Sequence, residues 1–258
     1  MNILYKYFSL ENSEKLRRVK DILENNSIFL SSPSTFNDPF DCKAQYVFKT
    51  DNKDEITNGI LKGLTKKYPE RKIEDLQKVA FDLANSKDQQ NILSKEATLK
   101  LSDNINKLGI FCLSSKMDNI LLWAHYADEH RGICIGYDRA KQGIDIAKKV
   151  IYGKDYPKVD ILKLGEKEYV KTLVDLTVFT KSEDWIYEDE YRIACYDVRD
   201  RLQRMQENTI KEIYLGLKMI ENKEAILDII QKMKNKPKVF QMRSKEDKFE
   251  LYPEETII

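Results

Sequence analysis

Glu188, Asp189 and Glu190 set two carboxylates one residue apart in WIYEDEYRI, at the head of the strand-like run EYRIACYD. If that strand begins near Tyr187, then Glu188, Glu190 and Arg192 share one face at about 6.6–6.8 Å per two residues, while Tyr191, Ile193 and Cys195 point into the core. Two carboxylates then flank one small volume. A fixed anion beside a developing cation, in a cleft that excludes water, stabilises that charge strongly, whereas a solvated carboxylate contributes little. The plainer alternative is an exposed strand edge on which Glu190 and Arg192 pair as ions, worth about 0–1 kcal/mol.

A second polar group lies in FNDPFD, residues 36–41. Pro39 pushes Asp38 out of helical geometry, Asn37 and Asp38 can close turns through their side chains, and Phe36 and Phe40 can anchor the loop. Asn37, Asp38 and Asp41 are therefore candidate ligand contacts on a loop that follows a strand, with a purely structural turn as the alternative. His125 and His130 are the only histidines. On a helix they stand about 140° apart, so they cannot converge on zinc as an HExxH pair does. Trp123, Tyr126 and His130 share a face suited to core packing, which leaves His125 as the acid–base or orienting candidate. The lysines of KMKNKPK (232–238) suit a helix C-terminus, where cations complement the dipole. There is no GxxxxGK[ST], no GxGxxG after a strand and no GxSxG elbow, which disfavours P-loop ATPases, kinases, nicotinamide-dependent dehydrogenases and serine hydrolases.

The elements that must position these groups follow from periodicity. Residues 3–8 read as a short aromatic strand, and Asn12 or Ser13 caps a helix with Leu16, Val19 and Leu23 on one face, ending at Asn25-Asn26 before a strand at 27–31. Three helical stretches are expected between about 52 and 107, the middle one burying Leu76, Val79, Ala80, Leu83 and Ala84. Strands are expected at 109–115, 132–138, 148–153, 190–197, 210–217 and 238–243. Asp118 or Asn119 caps a short helix through Tyr126 that turns at Gly132 as a left-handed terminator, and further helices cover 159–180 and the stretch of Ile226, Ile229, Ile230 and Met233. This pattern predicts one compact α+β domain over residues 1–258 with a mixed, largely antiparallel sheet and a helical insertion.

With 44 Lys and Arg against 43 Asp and Glu, the net charge of +1 provides no global field toward nucleic acid or anionic lipid. Cys42, Cys112, Cys134 and Cys195 form no CxxC pair, which argues against a zinc cluster or a disulfide framework and for reduced thiols. No apolar run reaches the length of a membrane span and no leader pattern opens the chain, so a cytoplasmic protein is expected.

Five segments, LYKYF (4–8), FLSSPSTFNDPFD (29–41), GIFCLSS with NILLWAHYADEHRGICIGYD (109–138), WIYEDEYRI (185–193) and IYLGL (213–217), together resemble the bacterial domain of unknown function 2971 family across nearly the whole chain. Phe8 stands where Arg often follows the Lys-Tyr pair in that family. Glu188-x-Glu190 is also similar to the paired glutamates of ADP-ribosyltransferases, and the order of first strand, helix, second strand, long insertion and late Glu-bearing strand resembles their split-sheet layout. That second resemblance implies an NAD-consuming enzyme, with Glu190 as catalytic carboxylate, Glu188 orienting the acceptor and His125 assisting. NAD as substrate would be contacted by Tyr5, Lys6, Tyr7, Ser32, Asn37, Asp38, Ser114 (or Ser115), Trp185 and Arg192. The usual His or Arg of the first strand is absent, and Lys6 cannot make the planar fork of Arg. The acceptor, protein or nucleic acid, is open, and a bacterial stress or phage-defence effector is the expected setting. Two alternatives stand beside it. One is a phosphoesterase or nuclease using Mg²⁺ or Mn²⁺ on Asp38, Asp41, Glu188, Glu190 and His125. The other is a module that binds a nucleotide without turning it over. In each case the five segments are expected to converge on one cleft.

Overall fold

In the computed structural model, residues 2–164 and 167–256 are described. The first part of the chain forms β1 (Ile3–Phe8), α1 (Ser13–Asn25), β2 (Ser27–Leu30), β3 (Gln45–Val47), α2 (Lys53–Lys67), α3 (Ile73–Asn85) and α4 (Lys87–Ile105). There follow β4 (Leu108–Ser114), α5 (Ile120–Tyr126), β5 (Ile133–Asp138), β6 (Lys148–Lys149), β7 (Ile151–Gly153), β8 (Lys158–Asp160), α6 (Lys167–Val178) and β9 (Thr180–Ser182). The last part forms β10 (Glu190–Tyr196), β11 (Arg201–Arg204), β12 (Ile210–Leu215), α7 (Lys223–Lys232), β13 (Lys238–Ser244) and β14 (Leu251–Glu255). These elements gather into two compact units, one of Met1–Thr35, Leu108–Val150 and Glu183–Ile258, the other of Phe36–Lys107 and Ile151–Ser182.

The first unit is built on an eight-stranded sheet in the order β14-β13-β12-β5-β1-β4-β10-β6. Its pairings are antiparallel except β12 with β13, the two strands joined through α7, as a parallel crossover requires. The architecture is thus α+β with a mixed, largely antiparallel sheet. One sheet face carries Leu4, Phe111, Leu113, Ile133, Ile135, Tyr137, Ile193, Ile213 and Leu215, packed with Val19, Ile22 and Leu23 of α1 and Ile226 and Ile230 of α7. The opposite face carries Tyr7, Cys134, Tyr214 and Met242, packed with Leu122 and Trp123 of α5. Helix α1 forms where its caps predict: the Asn12 side chain accepts from the Lys15 amide, and Asn26 turns left-handed (φ 45°), its amide reaching the Ile22 and Leu23 carbonyls.

The second unit holds the three helices expected between 52 and 107, together with α6 and the parallel pairs β3–β8 and β7–β9. In α3 the buried stripe is Leu76, Ala80 and Ala84, whereas Val79 is exposed. The single helix expected over 159–180 is instead β8, a 3-10 turn at Ile161–Lys163, α6 and β9. Asp160 accepts from the Leu162 amide and so starts a tight turn that the apolar spacing does not announce. The strand expected at 148–153 is likewise split, with Lys148–Lys149 pairing β10 and Ile151–Gly153 pairing β9. All four cysteines are thiols.

Gly132 corrects a further expectation. The left-handed residues after α5 are Asp128, Glu129 and His130 (φ 49°, 48° and 73°), and Gly132 is not among the residues of positive φ. Its role is close approach: a Cβ there would lie 2.1 Å from the Phe8 carbonyl oxygen. That oxygen, and the Ala127 carbonyl carbon and Cα at 3.0 Å, all belong to backbone, so no rotamer change relieves the clash. Gly132→Ala is expected to cost about 1–3 kcal/mol in urea unfolding followed by circular dichroism; an unchanged midpoint would show that the strand ends can part freely.

Candidate functional site

Register decides which polar groups meet. In the first unit Tyr5 of β1 pairs across from Ser114 of β4, and Ser114 pairs across from Glu190 of β10. On the other side of β1, Tyr5 pairs with Gly136, and Gly136 with Glu212 of β12. Strand alternation then puts Glu212, Tyr5, Ser114 and Glu190 on one rung of one face, with Tyr214, Cys134, Tyr7, Cys112 and Arg192 on the next. This is the face of the smaller apolar cluster, and Lys6 takes the other, its ammonium 5.5 Å from the Phe111 ring centroid. Of the three first-strand candidates, Tyr5 and Tyr7 therefore join the rung side and Lys6 does not.

Glu190 and Arg192 are both removed from water, at 4% and 0% exposure. Arg192 Nε and Nη2 each donate to a Glu190 carboxylate oxygen at 2.8 Å, a two-toothed fork within one strand. The plain surface pairing weighed from the sequence is thereby replaced by a buried pair on the rung. Behind it, burial first and the Glu190 charge second push the Cys112 thiol up, so it stays protonated.

The segment before Glu190 departs from its expected form. Glu183–Glu188 is 3-10 helical and the strand begins at Glu190, so Glu188 and Glu190 do not reach one face by strand alternation. Asp189 is left-handed (φ 44°) and makes the corner between them. That conformation is costly for a non-glycine residue and is held from several sides. Ser115 Oγ donates to the Asp189 carboxylate in a short bond, the Ser115 amide donates to its carbonyl at 3.2 Å, and Lys149 Nζ lies 2.7 Å from its carboxylate. Ser114 Oγ donates to the Glu188 carbonyl at 2.6 Å. Burial raises the Asp189 carboxyl, but Lys149 and Ser115 outweigh it and hold the group below the usual carboxylate range.

Glu188 is 4% exposed, and its Oε1 accepts from Tyr126 OH at 2.8 Å. Tyr126 ends α5, whose N-cap Asn119 accepts from the Leu121 and Leu122 amides and donates through Nδ2 to the Tyr187 carbonyl at 3.0 Å. Trp123 anchors the helix through Nε1 to the Met117 carbonyl, and Tyr7 OH reaches the Lys116 carbonyl, each at 2.8 Å. His125 is exposed, edge-on to the rings of Tyr126 and Trp185 at 6.2 Å, and Trp185 tilts on Tyr187 at 5.9 Å. His130 stacks on Trp123, as expected for packing, and burial followed by the Lys218 charge lowers its pKa.

Glu212 was not anticipated. Its Oε2 accepts from Tyr214 OH at 2.8 Å and from Tyr5 OH at 3.3 Å, and burial together with this charge pushes the Tyr5 phenol up to about 12. Its one signal in the sequence is a carboxylate in IKEIYLGL two residues before Tyr214, on the same side of the strand as that tyrosine.

The remaining candidates have local settings of their own. Ser32 is buried in a turn where its amide takes Asp200 Oδ1 and its hydroxyl meets Ser34, just after Ser31, which bridges to Ile110. Ile110 is four residues along β4 from Ser114, about 13 Å, so Ser32 does not join the rung. Asn37, Asp38 and Asp41 belong to the second unit. There Asn37 is exposed, Asp38 Oδ1 accepts from the Phe40 amide while its buried Oδ2 has no partner, and Asp41 takes the Cys42 amide and faces Lys181 Nζ at 3.8 Å. Among the described residues no three His, Cys, Asp or Glu side chains gather as a metal site.

Two measurements test this electrostatic core. Arg192→Met removes the fork from a buried carboxylate and is expected to cost about 3–5 kcal/mol, much of it recovered in Arg192→Met/Glu190→Gln; a single variant as stable as the parent would contradict the burial. Because Asp189 has a lowered folded pKa, its contribution is full above the unfolded value and is lost as pH falls through the acid range. Asp189→Asn should accordingly flatten the acid side of the stability–pH curve, and an unaltered curve would remove Asp189 from the account.

No curated protein and no solved structure matches the chain. A family model does match residues 122–193, a stretch that carries Tyr126, Lys149, Glu188, Glu190 and Arg192. The family is described as protein of unknown function (DUF2971), and it is this stretch of the chain that is similar to it.

Proposed function

We propose that the chain is an NAD-consuming enzyme of ADP-ribosyltransferase-like architecture, acting through the rung of Tyr5, Ser114 and Glu190. The observation that carries this reading is the register itself: a first-strand polar aromatic, a middle-strand serine and a late-strand glutamate occupy three adjacent strands at one level. These are the positions that the resemblance to ADP-ribosyltransferases assigns to NAD contact and catalysis.

In the reaction the bond between the ribosyl C1′ and the nicotinamide nitrogen breaks, and its electron pair leaves with neutral nicotinamide. Positive charge grows on the ribosyl carbon and ring oxygen. Glu190, held in place by Arg192, supplies a fixed anion that need not reorganise as that charge appears. The acceptor oxygen then bonds to C1′ and passes its proton to water, with Glu188, itself oriented by Tyr126, directing that oxygen. Trp185 and Tyr7 supply aromatic surface beside this centre.

Glu190→Gln keeps the side chain's shape and removes its charge. Nicotinamide release from NAD⁺, assayed with and without cell extract as a source of acceptor, is expected to fall about 10²–10³-fold in this variant. Release at the parent rate, or no release by the parent in either condition, would contradict the proposal.

A further inference from the structure

Glu212 meets the hydroxyls of Tyr5 and Tyr214 from a half-buried position, an expensive setting for a charge unless hydrogen bonds hold it. Its side chain lies against β5 at Gly136, where a Cβ would stand 3.2 Å from Glu212 Oε2 and crowd it. The bonds it receives come from Tyr214 and Tyr5. Tyr214 is stacked on Phe240 at 4.9 Å and meets Tyr5 edge-on at 5.9 Å, so the group is stiff.

An ionised carboxylate only accepts, and a phenol has one O–H. Tyr5 and Tyr214 therefore commit their only protons to Glu212, and their oxygens can offer nothing but lone pairs to a ligand. A ligand atom reaching Tyr5 Oη must donate. The Glu212 charge next to it also repels an anion at that spot. Tyr5 stands two strand spacings, about 10 Å, from β10 on the rung of Glu190.

Resting on the NAD reading above, we infer that Tyr5, Glu212 and Tyr214 form a subsite that selects the carboxamide of the nicotinamide ring and rejects the corresponding carboxylate. The carboxamide NH₂ donates to Tyr5, which Glu212 holds as an acceptor. A carboxylate brings a second anion and no donor. Discrimination of this kind is large because the mismatched ligand leaves polar groups facing one another unpaired.

The test is saturation-transfer NMR titration of nicotinamide and of nicotinate with the parent, Tyr5→Phe and Glu212→Gln, checking the variants' fold by circular dichroism. NAD⁺ turnover by the same samples is read in parallel. Nicotinamide is expected to bind the parent at least about tenfold more tightly than nicotinate, and Glu212→Gln, whose amide can donate and carries no charge, should close most of that gap. Tyr5→Phe should weaken nicotinamide more than nicotinate. Equal binding of the two, binding of neither, or an unchanged gap in both variants would overturn the subsite. NAD⁺ turnover without base discrimination would fail the subsite alone, whereas discrimination without turnover would fail the enzymatic reading alone.

Discussion

Arg192 and Glu190 are buried together, and the rest of the site follows from that pair. A lone carboxylate on this rung, or a lone guanidinium beside it, would face a desolvation cost that no neighbouring packing offsets. Joined by a two-toothed fork within one strand, they satisfy much of each other and fix the carboxylate's plane. The pairing of β10 with β4 and of β4 with β1 then carries this fixed anion to the level of Ser114 and Tyr5. A slip of one residue between β10 and β4 would put Ser114 and Tyr5 on the face opposite Glu190, and one between β4 and β1 would do the same to Tyr5 alone.

The corner at Asp189 is the second consequence. Because β10 begins at Glu190, Glu188 precedes it in a 3-10 turn, and the change of direction falls on one left-handed residue. Ser114, Ser115 and Lys149 hold that corner from β4 and β6. Both serines of the GIFCLSS segment thus act on the carboxylate-bearing segment through hydrogen bonds, Ser114 through the Glu188 carbonyl and Ser115 through the Asp189 side chain. Tyr126 is brought to Glu188 by a short helix whose cap, Asn119, is itself tied to Tyr187.

Much of this was legible in the residues. The capped helix α1, the aromatic first strand and the late strand of EYRIACY carry periodic or capping signals that local physics enforces, and they fall close to where those signals put them. The carboxylate pair and Arg192 could be named from the residues of one strand-like segment, whereas Tyr5 and Ser114 could be named, beside Lys6, Tyr7 and Ser115, only through the resemblance to ADP-ribosyltransferases. What could not be read is register and handedness. Nothing in alternation says that Tyr5 and not Lys6 faces the carboxylates, that Asp189 is left-handed, or that Glu212 lies beside Gly136 and reaches Tyr5, 207 residues earlier in the chain. Asp160 likewise ends a strand and starts a turn through one side-chain hydrogen bond, which is why the stretch 159–180 reads as a single helix by apolar spacing and folds as four elements.

The central claim is that one sheet face of the first unit, at the level of Tyr5, Ser114 and Glu190, receives the nicotinamide end of NAD⁺. The most direct measurement is a crystal structure of the chain with NAD⁺, using Glu190→Gln to slow its consumption. The account predicts the nicotinamide ribose within hydrogen-bond distance of residue 190 and the ring over Ser114, with its carboxamide toward Tyr5. A dinucleotide seated on the opposite face beside Lys6, or a crystal grown in saturating NAD⁺ with none bound at this rung, would contradict it.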